Sequence, residues 1–185
     1  MLKRFILCTA VTALALGPAV RAVAAKHEPH GQKAALTTVK RLGGSDAWNA
    51  YVDNAPGGKI CYLIGKPKKI GDRRAKADEV RMSVTHRPID HVWNVVNFML
   101  GFRAKKGSDA TLDVDGHKFP LFTDKDGAWT RDAATDRAVA RAMARGKKAS
   151  VKAEPEHGAA STVSYDLTGF TATLTLIDKA CGYRR

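Results

Sequence analysis

Along much of this chain apolar side chains recur at every second position, in short runs separated by turn residues. A strand can bury such a set on one face and a helix cannot. Val80, Met82 and Val84 alternate with Arg81, Ser83 and Thr85, which marks a strand with one wet face. In Lys59–Ile64, Ile60, Tyr62 and Ile64 take one face and Cys61 and Leu63 the other, so both faces are expected to be covered. Trp48–Val52 reads as a short strand, Asn54–Gly58 as a turn cluster, and Val92–Leu100 as a core strand ended by Gly101. The clearest local pattern is a hairpin, Ala110–Val114 and His117–Phe122 around Asp115-Gly116. That dipeptide suits a type I′ turn, which needs positive φ at both central residues. Pro120 has no N–H to give a ladder, so its strand belongs at an edge or a bulge. Lys148–Glu154 and Ala160–Tyr165 read as two further strands.

One segment departs from this period. Asp132 is an N-cap residue ahead of Ala133–Arg145, and Gly146 stands at the stop. Thr135, Val139, Ala142 and Met143 share a face. Asp132 and Asp136 lie at the positive end of the helix dipole and Arg145 at the negative end. The last segment is ambiguous: Phe170, Leu174, Ile177 and Cys181 follow helical spacing, while Phe170, Ala172, Leu174 and Leu176 also alternate with Thr171, Thr173 and Thr175. Threonine itself prefers strand.

The first residues are of another kind. Met1–Arg4 carry two positive charges, Phe5–Leu16 form an uncharged, largely apolar run, and Ala22-Val23-Ala24 offers small residues for signal peptidase. A spanning helix needs about 20 apolar residues, so a cleaved secretory leader over residues 1–24 is expected rather than an anchor. No second long apolar stretch follows, so the mature chain is expected to hold no transmembrane segment. Residues 25–44, with His27, His30 and several cations, read as a flexible lead-in, in which the H-x-x-H pair supports at most loose metal binding. Residues 45–185 are expected to form a single β-rich domain.

Loss of the leader removes Lys3, Arg4 and Arg21 and takes the net charge from +13 to +10. Such an excess attracts anionic partners: lipid, lipopolysaccharide, acidic polysaccharide or nucleic acid. Loss of Cys8 leaves Cys61 and Cys181. In an exported chain two cysteines most simply form one disulfide. The other reading, two thiols at a redox site, lacks the C-x-x-C spacing.

Chemistry is harder to find. The mature chain holds no G-x-S-x-G, H-E-x-x-H, phosphate-binding glycine loop or dinucleotide fingerprint. His86, His91 and His117 are the candidate general bases, but no partner residue stands at a telling spacing. No catalytic residue, cofactor or metal is therefore assigned. Basic clusters are the better lead. Lys66, Lys68, Lys69, Arg73, Arg74 and Lys76 put six positive charges into eleven residues, with only Asp72 against them. A loop of this composition is expected to present its charge to solvent. Arg137, Arg141 and Arg145 form a stripe on the predicted helix, and Arg103, Lys105 and Lys106 follow the core strand. Together these are candidate anion-binding residues, against the plainer reading of a solvated surface. Aromatic residues do not interleave with them, which argues against nucleic acid.

Several segments in order carry a resemblance. They are Trp48-x-x-Tyr51, Gly58-Lys-Ile-Cys-Tyr62 leading to Lys66-Pro67, Val84-Thr-His-Arg-Pro88, and Gly101-Phe102. Phe119-Pro-Leu-Phe122 with Gly127-Ala-Trp129, Ala142-Met-Ala-Arg-Gly146, and Ser164-Tyr-Asp-Leu-Thr-Gly-Phe170 running to Cys181 complete the set. From Trp48 to Cys181 the chain resembles the invasion associated locus B family of exported bacterial proteins. The resemblance implies a β-rich domain, a Cys61–Cys181 disulfide, a helical final segment over 169–180, and periplasmic, envelope-associated or secreted residence. It brings no enzymatic activity, cofactor or catalytic residue. The chain departs from the family pattern in its basic Lys66–Lys76 segment and in carrying Glu156-His157-Gly158-Ala159 where an Arg-Gly-Thr run is expected.

The fold expected is α+β, mainly antiparallel, either a sandwich or a strongly bent sheet, with two helices. The function expected is that of an exported, non-enzymatic envelope or periplasmic protein. Its basic surface would engage anionic envelope or host-surface groups, and a protein partner is also compatible with the sequence. The alternative is a periplasmic enzyme acting on cell wall or polysaccharide. That alternative requires His86, His91 or His117 to converge with carboxylates in one cleft, whereas binding requires the basic clusters to share a face.

Overall fold

The fold is built from antiparallel pairings that follow the alternation closely. A computed structural model describes residues 38–45 and 47–185, all within one compact unit. Its strands in chain order are β1 (Val39–Gly44), β2 (Trp48–Ala55), β3 (Gly58–Gly65), β4 (Lys69–Ile70), β5 (Arg81–Arg87) and β6 (Val92–Met99). They continue as β7 (Asp109–Val114), β8 (His117–Asp124), β9 (Gly127–Trp129), β10 (Lys148–Ala153) and β11 (Ser161–Asp166). Helices α1 (Ala133–Arg145) and α2 (Phe170–Cys181) complete it. The proposed leader and most of the proposed lead-in lie outside the described residues.

All these strands belong to one sheet, in the order β1-β2-β3-β5-β6-β9-β8-β7-β10-β11-β4. The two ends of that order are joined by the chain itself, because β4 continues from β3 across Lys66-Pro67-Lys68. Lys68 N–H donates to the Ser164 carbonyl at 2.7 Å and Gly71 N–H to that of Thr162 at 2.9 Å, so β11 lies beside the continuation of β3. The sheet therefore curls back on itself, which is the strongly bent alternative rather than two stacked sheets.

The inward face carries the core. Trp48, Ala50, Leu63, Met82, Val84, Val96 and Phe98 are buried from the strands, and Phe170, Leu174 and Ile177 from α2 close over them. Trp48 stands at the centre. Its ring meets Phe170 edge-on at 5.0 Å, and its indole N–H donates to the Asp166 carbonyl at 2.9 Å. Removing such area from water stabilises the fold by about 25 cal/mol per Å². The Cys61–Cys181 disulfide bonds β3 to the last turn of α2.

Several expectations were met in detail. Asp115 and Gly116 have φ of 48° and 94°, as a type I′ turn requires. Asp132 caps α1 by accepting from the N–H groups of Ala134 and Thr135, both at 2.8 Å. Pro120 pairs with Thr111 on one side, while β9 reaches only Phe122–Asp124 on the other, so the proline faces a local edge. The ambiguous final segment is helical. Phe170, Leu174 and Ile177 need one common face, and the hydroxyls of Thr173 and Thr175 turn back to the carbonyls of Gly169 and Thr171.

Two readings need correction. Residues 25–44 are not flexible lead-in throughout, because Val39–Gly44 pair with β2 as an edge strand. Val39, Lys40 and Arg41 are exposed, so this strand carries no alternation for the eye to find. Lys66–Lys76 is not simply a projecting loop either. Lys69 and Ile70 pair with β11, and Ile70 and Ala75 pack against the core.

Candidate functional site

The three histidines do not converge. His86 is wholly buried on the inward face of β5, opposite a bulge in β6. There Asn94 adopts a φ of 59°, and its N–H, displaced from the ladder, donates to His86 Nδ1 at 3.0 Å. With Nδ1 accepting, the ring proton sits on Nε2 and is donated to Asp178 Oδ1 at 2.8 Å. Asp178 in turn accepts from Arg185, which also donates to the Asn94 side chain at 2.8 Å. Trp93 and Tyr183 stack over this network with ring centres 5.0 Å apart. His86 thus fastens the β5–β6 bulge to α2, with both ring nitrogens engaged. His91, in the turn after β5, and His117, at the start of β8, are exposed. Among the described residues no three His, Cys, Asp or Glu stand together as a metal site.

The basic segment divides in two. Lys66, Lys68 and Lys69 border concave surface at the junction of β3 and β4, whereas Arg73, Arg74 and Lys76 lie on the loop leading to β5. Arg74 is paired with Asp72 at 2.9 Å. That hydrogen-bonded pairing holds the Asp72 carboxyl below its usual range and raises the guanidinium above its own. Lys76 is paired with Glu79 at 3.0 Å, and its ammonium is raised for the same reason. In the first half, Lys68 meets Asp166 at 3.0 Å. The N–H and hydroxyl of Thr168, followed by Lys68, hold the Asp166 carboxyl well below the usual carboxylate range. Lys66 and Lys69 form no ion pair with any described residue.

Two cavities give this first half a setting. One, of about 660 Å³, lies across β4, β11, β10 and β7 and is bordered by Lys68, Lys69, Lys148, Asp113 and Asp115. The other, of about 490 Å³, lies between α1 and the β7–β8 hairpin and is bordered by Arg141, Arg145 and His117 over Val114, Phe119 and Ala142. Asp115 belongs to both. Its carboxylate accepts from the N–H groups of Lys147 and Lys148 at 2.6 and 3.1 Å, so much of its hydrogen-bonding capacity is already used. Clusters some seventy residues apart in sequence therefore border adjoining concavities. Arg137 is exposed on the same helix, a turn before Arg141, and borders neither.

Lys148, Ser150 and Ser164 escaped sequence reasoning. A signal for Lys148 was present, since Lys147-Lys148 directly follow the Arg137–Arg141–Arg145 helix. Ser150 and Ser164 had none, because a serine at an outward strand position looks like any other.

Taken together, fold and site define a small disulfide-bonded antiparallel β domain, curled on itself and braced by two helices, with mixed-charge grooves on its outer surface. Among the described residues the one fully buried histidine, His86, is spent on holding the fold. The family model described as Invasion associated locus B (IalB) protein matches residues 48–178, and the chain belongs to that family. The family is one of exported bacterial proteins and is not a known enzyme family. No curated protein matches the chain, and no solved structure does. No helix among the described residues is long and apolar enough to cross a membrane.

Proposed function

We propose that this protein works in the bacterial periplasm or envelope as a non-catalytic binding protein, its basic surface engaging anionic groups of the envelope or of a host surface. The observation that carries this reading is that Lys68, Lys69 and Lys148 border one cavity, and Arg141 and Arg145 a second that meets it at Asp115. Cations gathered around two concavities that meet at the Asp115 turn raise the local concentration of anions and accept phosphate, sulfate or carboxylate through charge-assisted bonds. Export rests on the leader-like residues 1–24, whose removal leaves the mature chain at a net +10 in place of +13. The engagement of both His86 nitrogens takes this residue out of play as a general base, which needs a free lone pair facing substrate.

Binding to lipopolysaccharide, to acidic polysaccharide and to anionic against neutral vesicles, each across a salt series, tests the reading. Electrostatic contacts weaken as the Debye length falls from about 10 Å at 0.1 M salt to about 3 Å at 1 M. Binding is expected to fall with salt and to be largely lost when Lys66, Lys69, Arg141 and Arg145 are replaced by Gln. Replacing Arg73 and Arg74 is expected to matter less. Absence of binding to every anionic probe at low salt would overturn the proposal.

A further inference from the structure

The larger cavity has a floor as well as a charge. Cross-strand register sets Lys69 opposite Ser164, Ser164 opposite Ser150, and Ser150 opposite Asp113. Directly paired residues share a face of the sheet, so these four side chains stand in one outward row across β4, β11, β10 and β7. Their neighbours Ala149, Val151, Val163 and Tyr165 point into the core instead. At the strand spacing of about 4.8 Å the row is roughly 14 Å long. Lys68 and Lys148 flank it. Neither serine hydroxyl is used by a partner among the described residues, and Asp113 keeps acceptor capacity beyond the Gly116 N–H that it takes at 2.8 Å.

This surface is a poor match to a dense polyanion, because Asp113 and Asp115 would face its charges. It is equally a poor match to a bilayer. The large hydrophobic side chains exposed among the described residues are Val39 and Ile89, on β1 and in the turn after β5, and neither borders the cavity. A groove with ammonium groups, free hydroxyls and a free carboxylate in one row suits a ligand that carries hydroxyls and a sparse negative charge together. Sugar hydroxyls donate to Asp113 and exchange bonds with Ser150 and Ser164, while a uronate or sulfate group meets Lys69 or Lys148. The volume, about 660 Å³, lies within the range of small-molecule sites, roughly 300–1,000 Å³.

We infer that this groove is the subsite for an acidic sugar residue. Round the Asp115 turn, the cavity of Arg141, Arg145 and His117 takes a second anionic group of the same saccharide chain. The inference rests on the binding function proposed above and narrows its ligand from anionic groups in general to an acidic polysaccharide.

Calorimetric titration of the protein with a defined uronic-acid tetrasaccharide, its disaccharide, the carboxyl-reduced neutral tetrasaccharide and anionic phospholipid vesicles tests it. The uronate tetrasaccharide is expected to bind at least about tenfold more tightly than the neutral one, the effect of one lost charge-assisted contact. The double variant Ser150→Val, Ser164→Val keeps strand-forming residues at both positions. It is expected to lose about tenfold in tetrasaccharide affinity while retaining its melting temperature. Arg141→Gln with Arg145→Gln should weaken the tetrasaccharide and spare the disaccharide. Equal binding of charged and neutral saccharides, or a valine variant that binds unchanged, would overturn the subsite. Binding of vesicles without any saccharide binding would overturn it too and leave the broader function standing, whereas binding of neither would remove both.

Discussion

Asp136 shows how much one side chain can do that its position in the sequence conceals. Strand β9 pairs Asn97 with Trp129 and then stops, so the next N–H of β6, that of Val96, has lost its strand partner. The chain turns through Thr130 into α1, and Asp136 returns from the helix to accept that N–H at 2.8 Å. Thr130 donates its hydroxyl to the same oxygen. Burial raises the Asp136 carboxyl above its usual range, against the lowering effect of these two bonds. The folded protein therefore binds this proton more readily than the unfolded chain. Its contribution to stability falls as pH rises from the ordinary carboxylate value to the raised one, and is level above that. Asp136→Ala is expected to cost about 1–3 kcal/mol by orphaning Val96 N–H, and Asp136→Asn less, since the amide oxygen still accepts. In urea titrations across acidic pH, wild type should gain on Asp136→Asn as pH falls. A stability difference independent of pH would show that the carboxylate carries no buried-charge penalty.

At the scale of elements, β3 passes close against the ring of Trp48 at Gly65. A Cβ placed on Gly65 would stand 2.0 Å from the Trp48 ring. The glycine is needed there for space. Trp48 cannot easily retreat, because Phe170 of α2 packs edge-on against it and its N–H is committed to the Asp166 carbonyl at the end of β11. Gly65→Ala is expected to destabilise by about 1–3 kcal/mol, as overpacking does, and to shift the tryptophan fluorescence. Thermal unfolding followed by that fluorescence checks it, and an unchanged midpoint would mean that β3 moves away at little cost. This element was readable in part. Ile60, Tyr62 and Ile64 were correctly separated from Cys61 and Leu63, but both faces were expected to be covered. In fact the isoleucine and tyrosine face is only half-buried on the outside of the curl. The error lies in the period: alternation separates the faces without saying what covers them.

Across the whole molecule the disulfide is the covalent tie. It spans 120 residues and joins β3 to the end of α2, near the His86–Asp178 bond that fixes the neighbouring strand β5 to the same helix. In the chain-entropy model a closure of this length stabilises by about 4–5 kcal/mol. Replacing both cysteines with serine is expected to lower the urea midpoint by a corresponding amount, and reductant should do the same to wild type and nothing further to the variant. A midpoint unmoved by reduction would assign the tie to packing of α2 alone.

What the sequence determined by itself was mostly local: the type I′ hairpin at Asp115-Gly116, the cap at Asp132 and the strand period of β5, together with the expected pairing of Cys61 and Cys181. Each depends on a backbone preference or a composition that acts within a few residues or needs no partner. The family, too, was legible from the order of its segments. Tertiary structure decided the rest. Strands β1, β4 and β9 exist because neighbouring ladders offer them hydrogen bonds, which leaves no hydrophobic period in their own residues. The helical state of α2 was settled by a core needing one apolar face from a sequence that could supply either period. The candidate groove is of the same kind. Ser164, Ser150 and Asp113 meet through the β11–β10–β7 ladder, whereas Lys69 joins them only when β3 runs on into β4 and the sheet closes on itself, and no local pattern encodes that closure.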